Sequence, residues 1–336
     1  MQTISLTQSQ FSSSQFLADL MATSGVYLGG LSAESIVPVD KPAQQNSVLV
    51  IAAEGLSLEK IYQLQQALAG KLDVIGFRYS VMSDKCLTQA VIADVVLKDG
   101  IEEIDIAGYS QQFHVELALL KQPPTMTKPG LLVMDMDSTM IACECIDQIA
   151  YLADVGAQVS EVTELAMQGK LDFAQSLHQR VACLQGIEVS LLQSIRDRLP
   201  LMPGLSKLVK VLQQSGWKIA IASGGFTYFA NHLKDRLQLD AAVSNTLGIE
   251  NGYLTGVVEG RVVDANVKAE TLQTLAEQWG IAPEQTVAMG DGANDLVMMK
   301  VAGLGVAYHA KPIVDQQAAA AIRLHGLDTL LHYLAS

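Results

Sequence analysis

The spacing of apolar and polar positions divides the chain into stretches of different character. Through about residue 45 the sequence is rich in Gln and Ser, ends near Pro38 and Pro42, and shows little period. From Ser47 the pattern sharpens. Val48-Leu49-Val50-Ile51-Ala52 reads as a strand, and Ser57 to Ala69 carries apolar residues at helical spacing. Val74-Ile75-Gly76-Phe77 and Ala90 to Leu97 read as two more strands, a weaker helix follows Asp99, and Val115 to Leu120 completes a βαββαβ order. This predicts an α+β ferredoxin-like domain over residues 1–125, with 1–45 unassigned. The order resembles the ACT-type modules that bind amino acids. The alternative for such a domain is packing, or pairing into a homodimer.

Lys121 to Gly130 holds three prolines and a glycine within ten residues, which blocks both helix and central strand and marks a boundary. Beyond it the pattern changes. Leu131-Leu132-Val133-Met134 is short, continuous and apolar, as a strand buried on both faces requires. From Glu144 to Leu201 the period is helical: Ile146, Ile149, Ala150 and Ala153 share one face, and Val162, Leu165 and Ala166 another. Leu205 to Gln214 then reads as helix and Trp217 to Ala222 as strand. Gly256 to Val263 reads as a hairpin, Lys268 opens a helix running Ala269 to Trp279, and Thr286 to Met289 is a third strand. Val301 to Leu334 supplies the remaining strand and helices, with His309-Ala310-Lys311-Pro312 as a loop. Strand and helix alternation of this kind predicts an α/β, doubly wound, parallel-sheet (Rossmannoid) core over 130–143 and 205–336. Residues 144–204 form a helical cap, placed where a lid would sit.

Composition narrows the functions such a fold could serve. With 49% hydrophobic and 17% charged residues, the chain is globular rather than disordered. A formal charge of −13 argues against nucleic acid or an anionic membrane as partner. No run approaches the roughly 18 apolar residues of a membrane span, and Met1 to Leu6 lacks the features of a secretory signal. The four cysteines, Cys86, Cys143, Cys145 and Cys183, have no zinc-site spacing and read as reduced thiols of a cytoplasmic protein.

The chemistry gathers at strand ends. Asp135 and Asp137 follow the first core strand at i and i+2, so they leave its carboxyl end on one side. Two carboxylates so close need a cation or a shared proton. One could attack phosphorus while the other moves a proton. Ser223-Gly224-Gly225 ends the second strand, where small residues let N–H groups approach an anion. Gly290-Asp291-Gly292-Ala293-Asn294-Asp295 ends the third, with Asp291 and Asp295 spaced to share one face of a helix. Taken singly, each has an ordinary structural use: a capping acid for the Asp pair and Glu144, a chain connection for Ser223-Gly224-Gly225, a solvated charge for Lys268 and Arg180, core packing for Met167 and Phe173. The acidic loop lacks the alternating ligands and final Glu of a calcium EF-hand.

In this order, Asp135-Met136-Asp137-Ser138-Thr139, Ser223, Lys268 and Gly290 to Asp295 resemble the motifs of the haloacid dehalogenase-like phosphatases. With Glu144 and Arg180 added, residues 131–336 are similar to the phosphoserine phosphatase family. The resemblance implies Asp135 as nucleophile of an aspartyl-phosphate and Asp137 as general acid and base. It implies Mg²⁺ held by Asp135, the main-chain carbonyl of Asp137 and Asp291, with Asp295 in support. Ser223, the Gly224 amide and Lys268 would hold the phosphoryl oxygens, and Asn294 would add a polar contact. Arg180 would take the α-carboxylate and Glu144 the α-ammonium of O-phospho-L-serine. The implied reaction is its hydrolysis to L-serine and phosphate, the last step of serine biosynthesis. Rivals are another small phosphomonoester such as phosphohomoserine, and an amino-acid sensor with a vestigial catalytic half; serine at the N-terminal domain is a further expectation.

Overall fold

The computed structural model describes residues 3–22, 27–39, 47–101 and 103–334. They fall into two compact units, Met1–Met126 with Ala319–Ser336, and Thr127–Ala318.

In the first unit, strands β1 (Ile4–Ser5), β2 (Leu28–Gly29), β3 (Ser35–Pro38), β4 (Ser47–Ala53), β5 (Leu72–Tyr79), β6 (Gln89–Leu97) and β7 (Glu116–Leu120) lie in the order β1-β3-β2-β5-β6-β4-β7. The neighbouring strands run antiparallel. The part β5-β6-β4-β7 is the sheet of the βαββαβ order predicted from the sequence. Its crossovers are helices Leu58–Leu68, capped by the Ser57 hydroxyl accepting from the Lys60 N–H, and Ile106–Phe113. Alternate strand residues Leu49, Ile51, Val91, Ala93 and Leu117 pack with Leu58, Ile61, Leu64 and Leu68 in one core. The intervening Val48, Val50, Ala52 and Ile92 are buried as well, so the strands read as continuous apolar runs rather than alternating ones.

Asp94 breaks that run. It lies in β6 opposite Val48 and Gly76, is 1% exposed, and neither carboxylate oxygen has a hydrogen-bond partner. Burial pushes its carboxyl up to about 6.

Two features of this unit leave no local pattern in the sequence. Residues before Ser47 contribute helices Gln8–Phe11 and Ser14–Ala22 and the strands β1 to β3, most of them too short to show a period. Of the two prolines near which this segment ends, Pro42 lies outside the described residues. The segment Ala319–Ser336 also groups with this unit by its contacts. Buried Glu116 accepts the N–H groups of Arg323 and Leu324 at 2.9 Å. Buried His332 sits between the hydroxyls of Ser80, at 2.8 Å, and Thr88, at 3.1 Å. Partners so distant along the chain leave no periodic trace.

In the second unit, β8 (Leu131–Met134), β9 (Lys218–Phe226), β10 (Ala241–Glu250), β11 (Tyr253–Glu259), β12 (Thr286–Gly290) and β13 (Leu304–Tyr308) follow the order β11-β10-β9-β8-β12-β13. Pairing is parallel from β10 to β13, and β11 returns antiparallel. This is a doubly wound α/β sheet. The chain leaves β8 toward β9 and β10 on one side and comes back to β12 on the other, so the carboxyl end of β8 is a topological switch point. Helices Cys145–Leu152, Gly156–Met167, Phe173–Ala182 and Val189–Arg196 are inserted between β8 and β9.

The hairpin lies earlier than expected, between β10 and β11. It turns at Asn251-Gly252, both left-handed at φ 51° and 82°, an Asn-Gly signal that outweighs Gly256. The helix expected to open at Lys268 begins at Ala265. Asp264 caps it, its carboxylate accepting from the N–H groups of Asn266 and Val267 at 2.9 Å.

Candidate active site

Strand β8 delivers Asp135 to the sheet edge, where its N–H still bonds the Met289 carbonyl of β12 at 2.9 Å. Its Oδ1 accepts the Met136 N–H at 2.7 Å, and its Oδ2 lies 2.8 Å from Lys268 Nζ. Lys268 reaches up from the first turn of helix Ala265–Gln278 and is 1% exposed. Its other neighbour is Asp295 Oδ1 at 2.7 Å. Burial would lower the pKa of this ammonium, but Asp135 and Asp295 outweigh it and push the group up, so Lys268 stays charged.

Asp137 lies two residues on. Its Oδ1 accepts the Cys145 N–H, at the start of an inserted helix, at 3.0 Å. Burial, reinforced by the charges of Glu144 and Asp135, raises its carboxyl to about 8. A Cβ at Gly225 would collide with this carboxylate and with Met136, which is why β9 carries glycine at 225.

Asp291 and Asp295 converge differently from the helix-face expectation. A 3₁₀ turn, Ala293–Asp295, precedes helix Leu296–Val301, and the Gly292 N–H bonds Asp295 Oδ2 at 3.0 Å. Asp295 therefore points inward, and its side chain fills the space where a Cβ at Gly290 would sit. Asp291 stays at the sheet edge and takes the Thr139 hydroxyl at 3.1 Å. Burial, then Asp135, raise its carboxyl. Carboxylate oxygens of Asp135, Asp291 and Asp295 all lie within 4.8 Å of one another.

Above this edge is a cleft of about 640 Å³. It brings together Asp135, Asp137, Glu144, Arg180, Ser223, Gly224, Asp291 and Asn294 from the sequence-based set. Lys268 and Asp295 do not reach its wall; they lie buried behind Asp135. Glu144 precedes helix Cys145–Leu152 and accepts the Ser138 hydroxyl at 2.7 Å. Arg180, in the last turn of helix Phe173–Ala182, keeps a buried Nε with no hydrogen-bond partner. Burial lowers its pKa against the pull of Asp147 and Glu144. The Ser223 hydroxyl accepts the Gly225 N–H at 3.0 Å, and the Asn245 amide donates to the Gly224 carbonyl at 2.8 Å, fixing that turn.

Met167 and Phe173 line the cleft, as do Asp147 and Lys311, which sequence reasoning did not single out. Lys311 follows β13, so the rule that chemistry collects at the carboxyl ends of strands could have found it.

Comparison with known proteins agrees with this geometry. Residues 130–303 match the haloacid dehalogenase-like hydrolases. The phosphoserine phosphatase of Haemophilus influenzae is 46% identical over 297 residues, 88% of this chain and 91% of that one. The crystal structure of a probable phosphoserine phosphatase from Vibrio cholerae, unliganded, superimposes with a TM-score of 0.73 at 44% identity, covering 86% of each chain. A structure described as a phospho-aspartyl intermediate analogue of phosphoserine phosphatase gives 0.58 at 41% identity, over 62% of this chain and 99% of that one.

Proposed function

From the membership of this chain in the haloacid dehalogenase-like hydrolases, among the phosphoserine phosphatases, we propose that it hydrolyses O-phospho-L-serine to L-serine and phosphate, the closing step of serine biosynthesis. The observation that carries the reading is the cleft itself, whose wall combines Asp135 and Asp137 with Glu144 and with Arg180, whose buried Nε has no hydrogen-bond partner.

Asp135 is the nucleophile: its carboxylate attacks phosphorus and the serine oxygen leaves. Asp137, its carboxyl raised, gives that oxygen a proton and afterwards takes one from the water that cleaves the aspartyl-phosphate. Ser223 and the Gly224 N–H stabilise charge on the phosphoryl oxygens, and the charge of Lys268 supports them from behind Asp135. Arg180 takes the substrate carboxylate in a two-pronged bond, Glu144 takes the ammonium, and Asn294 adds a polar contact.

The carboxylates of Asp135, Asp291 and Asp295 form an all-oxygen set that suits a hard divalent cation. Together with the Asp137 carbonyl they would hold Mg²⁺, which when bound offsets the acids and polarises the phosphoryl group. No helix among the described residues is long and apolar enough to cross a membrane, and none of the four cysteines is in a disulfide, which supports a place in the cytoplasm. For the first unit we propose L-serine as a regulatory ligand, on its ferredoxin-like strand order alone; calorimetry of the full chain with L-serine tests it.

Phosphate release from phosphoserine, phosphohomoserine and a sugar phosphate, each with and without Mg²⁺, tests the main reading. Preference for phosphoserine and dependence on the cation are expected. Equal rates on the sugar ester would overturn the assignment of Glu144 and Arg180.

A further inference from the structure

The cleft has an electrostatic problem. Five carboxyl groups line it, those of Asp135, Asp137, Glu144, Asp147 and Asp291, in a chain whose formal charge is −13. With the Asp137 carboxyl protonated and a bound cation offsetting Asp135 and Asp291, Glu144 and Asp147 still face the opening. A phosphate dianion approaching this wall is repelled before it reaches Asp135. Lys268 offers little help at that stage, because it is buried and held between Asp135 and Asp295. Two cationic side chains remain on the cleft wall, Arg180 and Lys311. Arg180 sits on the inserted helices with Asp147 and Glu144 as neighbours. Lys311 follows β13 of the sheet, near Asp291.

The main chain alone fixes the position of Lys311. Its N–H donates to the Asp291 carbonyl at 3.3 Å, and its own carbonyl accepts from Val314 at 2.9 Å and Asp315 at 3.0 Å. The ammonium takes no part in holding this loop and has no ion pair or hydrogen bond among the described residues. It is close enough for its charge to act on Asp291. A long cationic side chain exposed at the wall of an acidic cleft, with no structural work to do, has only its field to contribute.

We propose that Lys311 is the entry cation of the cleft, a positioning residue that draws the phosphate dianion of an incoming ester toward Asp135 and takes no part in the bond-making step. The inference rests on the phosphate-ester reading above. Because the charge acts across solvent, its reach is set by the Debye length, about 10 Å at 0.1 M salt. Its effect must therefore fade as salt is added.

The test uses the full chain with Mg²⁺ and compares Lys311→Ala, Lys311→Gln and Lys311→Arg in phosphate release from phosphoserine at about 0.01 M and about 0.5 M ionic strength. For Lys311→Ala and Lys311→Gln, kcat/KM should drop about tenfold at low salt, converging to within about twofold of the parent at high salt, with kcat changed less than about twofold. Lys311→Arg should restore the low-salt value. Product inhibition by inorganic phosphate should weaken in parallel. A loss of equal size at both ionic strengths, a loss concentrated in kcat or in Mg²⁺ dependence, or no loss at all would each overturn the role. A parent protein inactive on every phosphate ester would instead remove the phosphatase reading, and this inference with it.

Discussion

Lys268 Nζ and Asp135 Oδ2 are 2.8 Å apart, and the same ammonium lies 2.7 Å from Asp295. One buried cation thus stands between the proposed nucleophile and a second acid. Removing it leaves two unscreened carboxylates in a dry site, a change that costs roughly 3–5 kcal/mol for a broken buried pair. Lys268→Met should lower kcat by about 10²-fold or more and reduce the thermal midpoint. Asp295→Asn keeps a carbonyl for Lys268 and should be milder. A Lys268→Met enzyme retaining most of its turnover would make this ammonium a bystander.

The role proposed for Arg180 is in specificity and not at phosphorus. Arg180→Ala should raise KM for phosphoserine by about 10²-fold, the worth of a charge-assisted bond, and leave hydrolysis of an aryl phosphate nearly unchanged. Steady-state kinetics on both substrates checks this. Equal losses would mean that Arg180 does not grip a carboxylate.

Asp137→Asn can still accept the Cys145 N–H but cannot donate to a leaving oxygen. The serine alkoxide needs that proton and a nitrophenolate does not. The substitution should therefore cost about 10²–10⁴-fold on phosphoserine and far less on nitrophenyl phosphate. Matching losses on the two esters would remove Asp137 as the acid.

In the first unit, Asp94 supplies a pH test. Its folded value, about 6, lies above the ordinary 3.8, so the fold disfavours the ionised form. Below pH 3.8 it is protonated folded or unfolded and makes no difference; as pH rises from there through 6, stability is lost. Asp94→Asn should then stabilise the chain by about 2–3 kcal/mol at pH 7 and hardly at all near pH 4. Urea denaturation at the two pH values measures it. A gain independent of pH would point to packing and not to charge.

Gly225→Ala should fold and lose activity, since a methyl there meets Asp137 and Met136. A normal kcat for this variant would show that the Asp137 carboxylate has room to move.

The sheet and the acids were legible in sequence because each leaves a local signature. Apolar runs mark β4, β6, β8 and β12, and Asp135, Asp137 and Asp291 follow the last two at once. What stayed hidden depends on folding in three dimensions. The inward turn of Asp295 comes from a 3₁₀ turn and the Gly292 N–H, where helical spacing suggested a shared face with Asp291. The burial of Lys268 follows from a cap at Asp264 that starts its helix early. Lys311 was read only as part of a loop, because a single lysine carries no period. The strands before Ser47 are too brief for any pattern.

The return of Ala319–Ser336 to the first unit bears on how the protein is made. During synthesis the opening domain emerges from the ribosome early, yet the strand of contacts that satisfies Glu116, Ser80 and Thr88 arrives only after the whole phosphatase half has been translated. Until residues 319–334 have been made, those buried polar groups of the first unit lack the partners that satisfy them.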